Sequence, residues 1–377
     1  MVKSIKAIIG ANYGDEGKGL MTDYFANEAR NRGESCIVVL SNGGAQRGHT
    51  VLTPEGDYHV FHHFGSGSFA GADTFFPKQF IVNPMIFCKE LFDGFDELYK
   101  LNNKIFIHLD CLVSTPFDML ANMIIEESRG DNRHGSVGVG IWETLVRNGK
   151  TFKEMYNMEV SDLCNYLKDV REYYEKKLYG LSLRKFVDIF YDENLINNYI
   201  RDFKIMCKIC TISNEYVLYD YDSIIFENGQ GLLLDDSLND PENGYYTTPS
   251  NTGFTNIKDI LDATGINYNT SAIDKEVIFV TRSYLTKHGG KDIPGKTEFD
   301  FVNKKYESNV HNDYQGDLMY APMDWNMFFE RIRNTFKDIP SNWECKIAVT
   351  HCDELDVEVQ SSYYKSYGPT RKDVKKV

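Results

Sequence analysis

Six short, β-rich apolar runs, several of them ending in Gly, Asn, Asp or Thr, constrain this chain most. They are "IKAIIGA", "SCIVVLSN", "KIFIHLD", "SIIFEN", "EVIFVTRSYL" and "CKIAVTHCD". Charge-rich stretches with helical character lie between them, among them "VSDLCNYLKDVREYYEKKL" and "DWNMFFERIRNTF". Short buried strands alternating with helices predict an α/β fold with a mainly parallel central sheet flanked by helices. At 377 residues and 42% hydrophobic content the chain can bury a sizeable core. No repeat or low-complexity linker divides it, and residues 1–377 are expected to form a single domain. Sheets of this kind collect ligand groups at the carboxyl ends of their strands, and the unusual motifs of this sequence fall there.

The formal charge of −14 disfavours nucleic acid as a partner, since a polyanion needs a basic surface. It leaves open a local pocket for a nucleotide. The sequence shows neither a charged-then-apolar leader nor an apolar run of about 18 residues, so no membrane partner and a cytoplasmic location are expected. Eight cysteines are scattered along the chain. The close pair Cys207 and Cys210 has no second pair at zinc spacing, and reduced thiols in a helical or buried segment are the expectation.

Four segments carry chemistry. In "IIGANYGDEGKGLMTDYF" a strand runs through a glycine turn into a helix, the geometry that aims backbone N–H groups at an anion. Gly14, Gly17 and Gly19 let the backbone approach phosphate, and Lys18 supplies positive charge. The Walker spacing is not met: Asn12 stands where its first glycine belongs, and Gly19 where Ser or Thr should follow the lysine. Within the turn, Asp15 can hold Mg²⁺ beside phosphates or accept a substrate proton. The competing reading is a solvated helix start, where Asp and Glu suit the dipole. The second segment, "VVLSNGGAQRGHTV", places His49 after two glycine turns as an acid or phosphate donor. In the third, "IIFENGQGLLLDD", Gln230 sits between glycines where an amide can read a base edge. In the fourth, "IAVTHCDELD", Thr350 and Asp353 form a Thr-x-x-Asp whose carboxylate can meet the paired donors of guanine.

Together these segments resemble the adenylosuccinate synthetase family. Its first loop, G-D-E-G-K-G-K, appears as Gly14-Asp15-Glu16-Gly17-Lys18-Gly19-Leu20. Its G-G-H-N-A-G-H-T appears as Gly43-Gly44-Ala45-Gln46-Arg47-Gly48-His49-Thr50. Its F-E-G-A-Q-G appears as Phe226-Glu227-Asn228-Gly229-Gln230-Gly231, and its T-S-S-N-T as Thr248-Pro249-Ser250-Asn251-Thr252. The guanine motif T-K-x-D appears as Thr350-His351-Cys352-Asp353, and a late G-P-x-R as Gly368-Pro369-Thr370-Arg371. These matches keep the family order and span nearly the whole chain.

The resemblance implies a P-loop-related fold, a homodimer and a ligase that joins IMP to aspartate while GTP is hydrolysed. It implies that Asp15 removes the N1 proton of the 6-oxopurine, that His49 stabilises the transferring phosphoryl group and the 6-phosphoryl intermediate, and that Lys18 supports the phosphates. Mg²⁺ would be held by Asp15 and the carbonyl of Gly48. The nucleoside triphosphate would lie on Gly14, Glu16, Gly17, Gly19, Asp353, Gly368 and Pro369. The purine monophosphate would meet Gln46, Gln230 and Thr248, with Arg147 reaching a phosphate across the dimer interface.

Departures from the family pattern widen the choice of substrates. The family's T-T-G-R is Ser136-Val137-Gly138-Val139, and His351 replaces the guanine-motif lysine, which opens ATP beside GTP. The arginine-rich T-T-G-R-R-R-R that reads aspartate has as its best counterpart "HNDYQGDLMYAPMD", with no arginine. Lys287, His288 and Lys291 are the nearby basic candidates for the amino acid; otherwise another amino donor replaces aspartate. Phage relatives that act on dGMP are short like this chain, although several replace the catalytic aspartate that is Asp15 here. A regulatory nucleotide-binding protein without turnover is the alternative of a different class.

Overall fold

The computed structural model describes residues 2–93, 103–181, 186–302, 305, 307, 309, 311–313 and 315–377. All six apolar runs are strands. They supply β1 (Ser4–Gly10), β2 (Cys36–Leu40), β6 (Ile105–His108), β8 (Ser223–Glu227), β9 (Asp274–Arg282) and β12 (Glu344–Thr350). The remaining strands are β3 (His49–Leu52), β4 (Tyr58–Phe61), β5 (Asp73–Phe76), β7 (Thr211–Ser213), β10 (Leu285–His288), β11 (Leu318–Ala321), β13 (Ser362–Ser366) and β14 (Val374–Lys376).

Among the described residues ten strands form one sheet, in the order β14-β13-β12-β9-β1-β8-β2-β5-β6-β7. Neighbouring strands are parallel except at one edge, where β13 and β14 run antiparallel. The expected mainly parallel α/β architecture is therefore present. Two small antiparallel ribbons stand apart from it, β3 with β4 and β10 with β11.

Strand β1 lies in the middle and is buried along its length. Its side chains alternate between two cores, as a pleated strand requires. Ile5, Ala7 and Ile9 join the cluster that holds Phe254, Ile260 and Phe328, while Ile8 faces the cluster that holds Met21, Phe25 and Phe76. Helix α1 (Lys18–Asn31) follows β1 and covers that second face. Met21, Phe25 and Ala29 recur at the four-residue interval that aligns one side of a helix, and all three are buried. Phe25 meets Tyr364 edge to face at 5.3 Å, and its truncation to alanine would cost about 3–5 kcal/mol.

The two charge-rich stretches are helices, Val160–Lys177 and Trp325–Thr335. Cys207 lies in the helix Glu193–Ile209 and Cys210 caps its end. Among the described residues no helix is long and apolar enough to cross a membrane.

Candidate active site

The carboxyl ends of β1, β2, β8, β9 and β12 open on one side of the sheet, and the loops that leave them line a cleft of about 1240 Å³. That volume exceeds a usual single-ligand pocket. The loop after β1 contributes Gly14 to Gly19, the loop after β2 contributes Gln46 to His49, and the turn after β8 contributes Gln230. Arg282 ends β9, and Thr350, His351 and Asp353 follow β12. Thr248, Lys287, His288, Lys291, Gly368 and Pro369 complete the sequence-derived set, all on this cleft.

Arg147 does not line the cleft. It caps the helix Ile141–Val146, and its guanidinium grips both carboxylate oxygens of Asp118 at 2.9 and 2.8 Å and bonds the Tyr166 hydroxyl at 2.8 Å. Within this chain its partners are structural.

The glycine turn is not a Walker loop, and its backbone explains why. Asp15 has φ 57° and Gly17, which caps α1, has φ 91°. A non-glycine residue held in the left-handed region is strained, and such strain gathers at functional sites. Thr350 donates its hydroxyl to the Glu16 carbonyl at 2.9 Å, and Arg282 Nε donates to the Asp15 carbonyl at 2.5 Å. These two bonds clamp the turn from β12 and β9. Gly19 is where α1 passes β3: a side chain there would reach 2.7 Å from the Thr50 carbonyl oxygen, which explains why no Ser or Thr follows Lys18.

The two acidic residues of the turn have different surroundings. The Glu16 side chain is buried, accepts from the Asn12 N–H and lies 3.9 Å from Lys18 Nζ. Burial pushes its carboxyl up to about 7 against the pull of Lys18. Its Oε2 has no hydrogen-bond partner. Burial also raises Asp15, opposed by Arg282 and Lys18, and lowers Lys18, opposed by Glu16 and Asp15. A raised carboxylate facing the cleft has the proton affinity that suits a general base.

Beside the turn, Glu227 at the end of β8 organises a second cluster. It receives His49 Nδ1 at 2.6 Å, Arg47 Nη2 at 2.7 Å, the Ser66 N–H at 3.1 Å and the Ser66 hydroxyl. Burial raises its carboxyl, but Arg47 and then His49 outweigh that and hold it well below the usual range. Burial, then Arg47, brings the His49 imidazole down to about 3. Glu227 and Arg47 lie inside motifs that drew attention for their glutamine and histidine; their pairing, between residues far apart in the chain, left no local signal.

Two amides face each other across Gly43. A Cβ on this glycine, whose φ is 75°, would reach 2.7 Å from Gln46 Nε2 and 3.3 Å from Gln230 Oε1. Both polar ends of Gln46 and the Gln230 Oε1 are buried and without partners, and Gln230 itself has φ 56°. Buried polar atoms are normally paired, so this group marks where a ligand with donors and acceptors belongs.

At the far wall the basic candidates are already engaged with carbonyl oxygens. Lys287 Nζ bonds Lys291 O at 2.7 Å, Lys291 Nζ bonds Asn243 O at 3.0 Å, and His288 Nε2 lies 2.9 Å from Gly316 O. Within "HNDYQGDLMYAPMD", Leu318–Ala321 is the strand β11; Tyr314 lies outside the described residues. The wall also holds two arginines that the sequence pattern had not singled out. Arg133 bonds the Asp313 carbonyl and Glu127 while its Nε lacks a partner, and Arg282 pairs with Glu307 at 2.8 Å.

The family profile described as adenylosuccinate synthetase matches residues 7–315. The adenylosuccinate synthetase of Acaryochloris marina is 27% identical over 294 residues, covering 76% of this chain and 61% of that protein. That of Lactobacillus acidophilus is 27% identical over 312 residues, covering 76% and 64%. These alignments thus span under two thirds of the relatives' length. The fold is shared along the whole chain with the fully ligated adenylosuccinate synthetase of Plasmodium falciparum, at TM-score 0.72 and 15% identity, over 98% of this chain and 99% of that one. It is shared also with the succinoaminodeoxyadenylate synthetase of cyanophage S-2L, at TM-score 0.63 and 13% identity, over 100% and 96%.

Proposed function

The chain belongs to the adenylosuccinate synthetase family, and from that premise we propose that it is a ligase joining a 6-oxopurine nucleotide to an amino acid at the expense of a nucleoside triphosphate. The observation that carries this reading is the Asp15 carboxylate, held in a left-handed turn on the cleft that also holds Lys18, His49 and the unpaired amides of Gln46 and Gln230. An anion site that keeps its own carboxylate makes sense when a proton must leave the substrate before phosphate arrives.

The proposed chemistry has two steps. Asp15 takes the N1 proton of the purine, so O6 becomes nucleophilic and attacks the γ-phosphorus. The bond from that phosphorus to the β-bridging oxygen breaks, leaving a nucleoside diphosphate and a 6-phosphoryl purine. The amine nitrogen then attacks C6, the C6–O bond breaks, and inorganic phosphate leaves as the nitrogen gives up a proton. Lys18 and His49 balance charge during the transfer, which depends on positioning and electrostatics more than on covalent help. Gln46, Gln230 and Thr248 hold the purine nucleotide. Gly14, Glu16, Gly17, Gly19, Gly368 and Pro369 hold the triphosphate, with Asp353 on its base.

Mg²⁺ fits the residues present. Asp15 offers a carboxylate and Gly48 a carbonyl, both on this cleft. That is the sparse oxygen set of a magnesium ion whose other ligands are phosphates and water. When bound, the ion would neutralise charge on the phosphates.

IMP, GTP and aspartate are the substrates of the first reading, in a homodimer of single-domain subunits. For Arg147 to reach a partner's nucleotide it would have to leave Asp118. A second reading, dGMP as the purine, draws on the likeness to the cyanophage enzyme, whose structure was determined bound to dGMP and dATP. The test is a matrix of IMP, GMP and dGMP against GTP and ATP, with mixed amino acids, Mg²⁺ and mass-spectrometric detection of the adduct. Adduct with IMP and GTP is expected. Triphosphate binding without turnover in every combination would replace the ligase by a regulatory binder.

A further inference from the structure

Arg47 is a charged group on the cleft that the reaction just described does not use. Its side chain is 1% exposed, and it lines the cleft between the β1 turn and His49. In the family pattern quoted above, alanine stands at this position. One terminal nitrogen, Nη2, is occupied: it reaches Glu227 at 2.7 Å, His49 Nδ1 at 3.0 Å and Ser66 Oγ at 3.4 Å. Nε and Nη1 have no partner at all. Leaving donors of a buried cation unpaired costs more than an ordinary missing hydrogen bond. Glu227 fixes the guanidinium by one nitrogen and so aims its remaining N–H groups without satisfying them.

We propose that Arg47 is a further catalytic residue, whose Nε and Nη1 donate to oxygens of the phosphoryl group as it passes from the triphosphate to the purine. Three features place it there. It sits two residues before His49 on the same turn, it shares Glu227 with His49, and its charge acts on Lys18, the other cation of the transfer region. A guanidinium suits the task because a planar fork can bind two oxygens of a phosphoryl group at once, where an ammonium offers a point charge. Donors already oriented by the Glu227 ion pair can respond as negative charge spreads over the equatorial oxygens. The inference rests on the ligase reading and deepens it: this chain supplies from its own second loop an arginine that the family pattern lacks.

The experiment compares the parent with Arg47→Ala and Arg47→Lys, using the purine and triphosphate that the parent turns over. Lysine keeps a positive partner for Glu227, which alanine removes; circular dichroism and thermal melting verify that each variant is folded. Rapid-quench measurement of single-turnover phosphoryl transfer should fall about 100-fold or more in Arg47→Ala and about tenfold in Arg47→Lys. Affinity for the nucleoside diphosphate should change less than about threefold, because the contact is made to the group in flight. Guanidinium chloride at a few tens of millimolar should restore about tenfold of the rate to Arg47→Ala and none to Arg47→Lys, a rescue that a merely structural arginine would not show. Folded variants transferring within about twofold of the parent would overturn the inference, and so would a slow Arg47→Ala without rescue that has also lost the diphosphate. A parent inert with every purine overturns the ligase reading itself and this inference with it; an active parent with indifferent variants overturns the inference alone.

Discussion

His49 Nδ1 lies 2.6 Å from Glu227 Oε1, a contact that joins the start of β3 to the end of β8. Arg47 Nη2 also lies 3.0 Å from Nδ1, so Nδ1 is engaged by both neighbours, the ring plane is fixed and Nε2 is the nitrogen left for a ligand. Glu227→Gln should therefore slow turnover about tenfold or more while leaving purine affinity within about threefold, since it loosens the group that faces the transition state. His49→Ala should be slower still. Rapid-quench phosphate release separates the two effects; a raised KM with an unchanged single-turnover rate in both variants would make this pair a binding element.

Asp15 gives the most direct test of the proposed chemistry. Asp15→Asn keeps the size of the side chain but removes the proton acceptor. Loss of a general base typically costs about 10²–10⁴-fold, and nucleotide binding should survive. Turnover within twofold of the parent, measured by adduct formation at saturating substrates, would remove Asp15 from that role.

Much of this was legible in the sequence, for local reasons. β1, β2, β8, β9 and β12 are near-continuous apolar runs, the pattern of strands buried on both faces, and each hands over to a glycine or polar turn at its carboxyl end. That is why the cleft-lining loops could be named. The edge strands β7 and β14, three residues each, are too short to stand out by periodicity. The clamp from Arg282 to the Asp15 carbonyl spans 267 residues, and no local pattern announces such a bond. Arg147 shows the converse. Its motif match was clear, but only packing reveals that Asp118 and Tyr166 occupy its guanidinium.

His63 offers a prediction about stability. It is fully buried, and its Nε2 accepts from the Asn83 N–H at 3.0 Å, so the ring is held neutral. Burial lowers its imidazole to about 3, opposed by Glu90, against 6.5 when unfolded. Below pH 6.5 the unfolded chain binds a proton that the folded one refuses. The stability due to this residue is complete above pH 6.5 and drains away as pH falls towards 3, by about 1.4 kcal/mol per pH unit at most. His63→Gln keeps an acceptor and cannot titrate. Urea unfolding at pH 7, 6 and 5 should show a shallower acid loss for the variant; parallel curves would mean the ring is protonated in the fold.

Asp353 follows β12 on the cleft beside His351, which has φ 61°. Its carboxylate can accept from both N1–H and the 2-amino group of guanine, whereas adenine would present an unprotonated N1 to it. GTP should be used at least as well as ATP, and Asp353→Ala should erase that preference. Competition between the two triphosphates in one reaction reads the ratio. An unchanged ratio in the variant would take the residue away from the base.

The amino donor is the remaining choice, and the charges on the far wall decide what to expect. A dicarboxylate in a closed site needs compensating donors, because an unpaired buried charge costs several kcal/mol. Lys287 Nζ bonds the Lys291 carbonyl and lies over the Tyr13 ring at 5.3 Å, and neither partner neutralises its charge, which is available to a carboxylate. Burial lowers its ammonium, which an incoming anion would reverse. Arg133 adds an unpaired Nε on the same cleft. Arg282, by contrast, is neutralised by Glu307. We therefore expect aspartate to be accepted, with a KM that rises about tenfold or more in Lys287→Ala and in Arg133→Ala while the single-turnover phosphoryl transfer that precedes amine attack is unchanged. Each amino acid offered singly, with product mass as the readout, tests this. Efficient aspartate use untouched by both substitutions would move the carboxylate site to other residues. An adduct formed only with a monocarboxylate would mean that the lost arginines took the aspartate specificity with them.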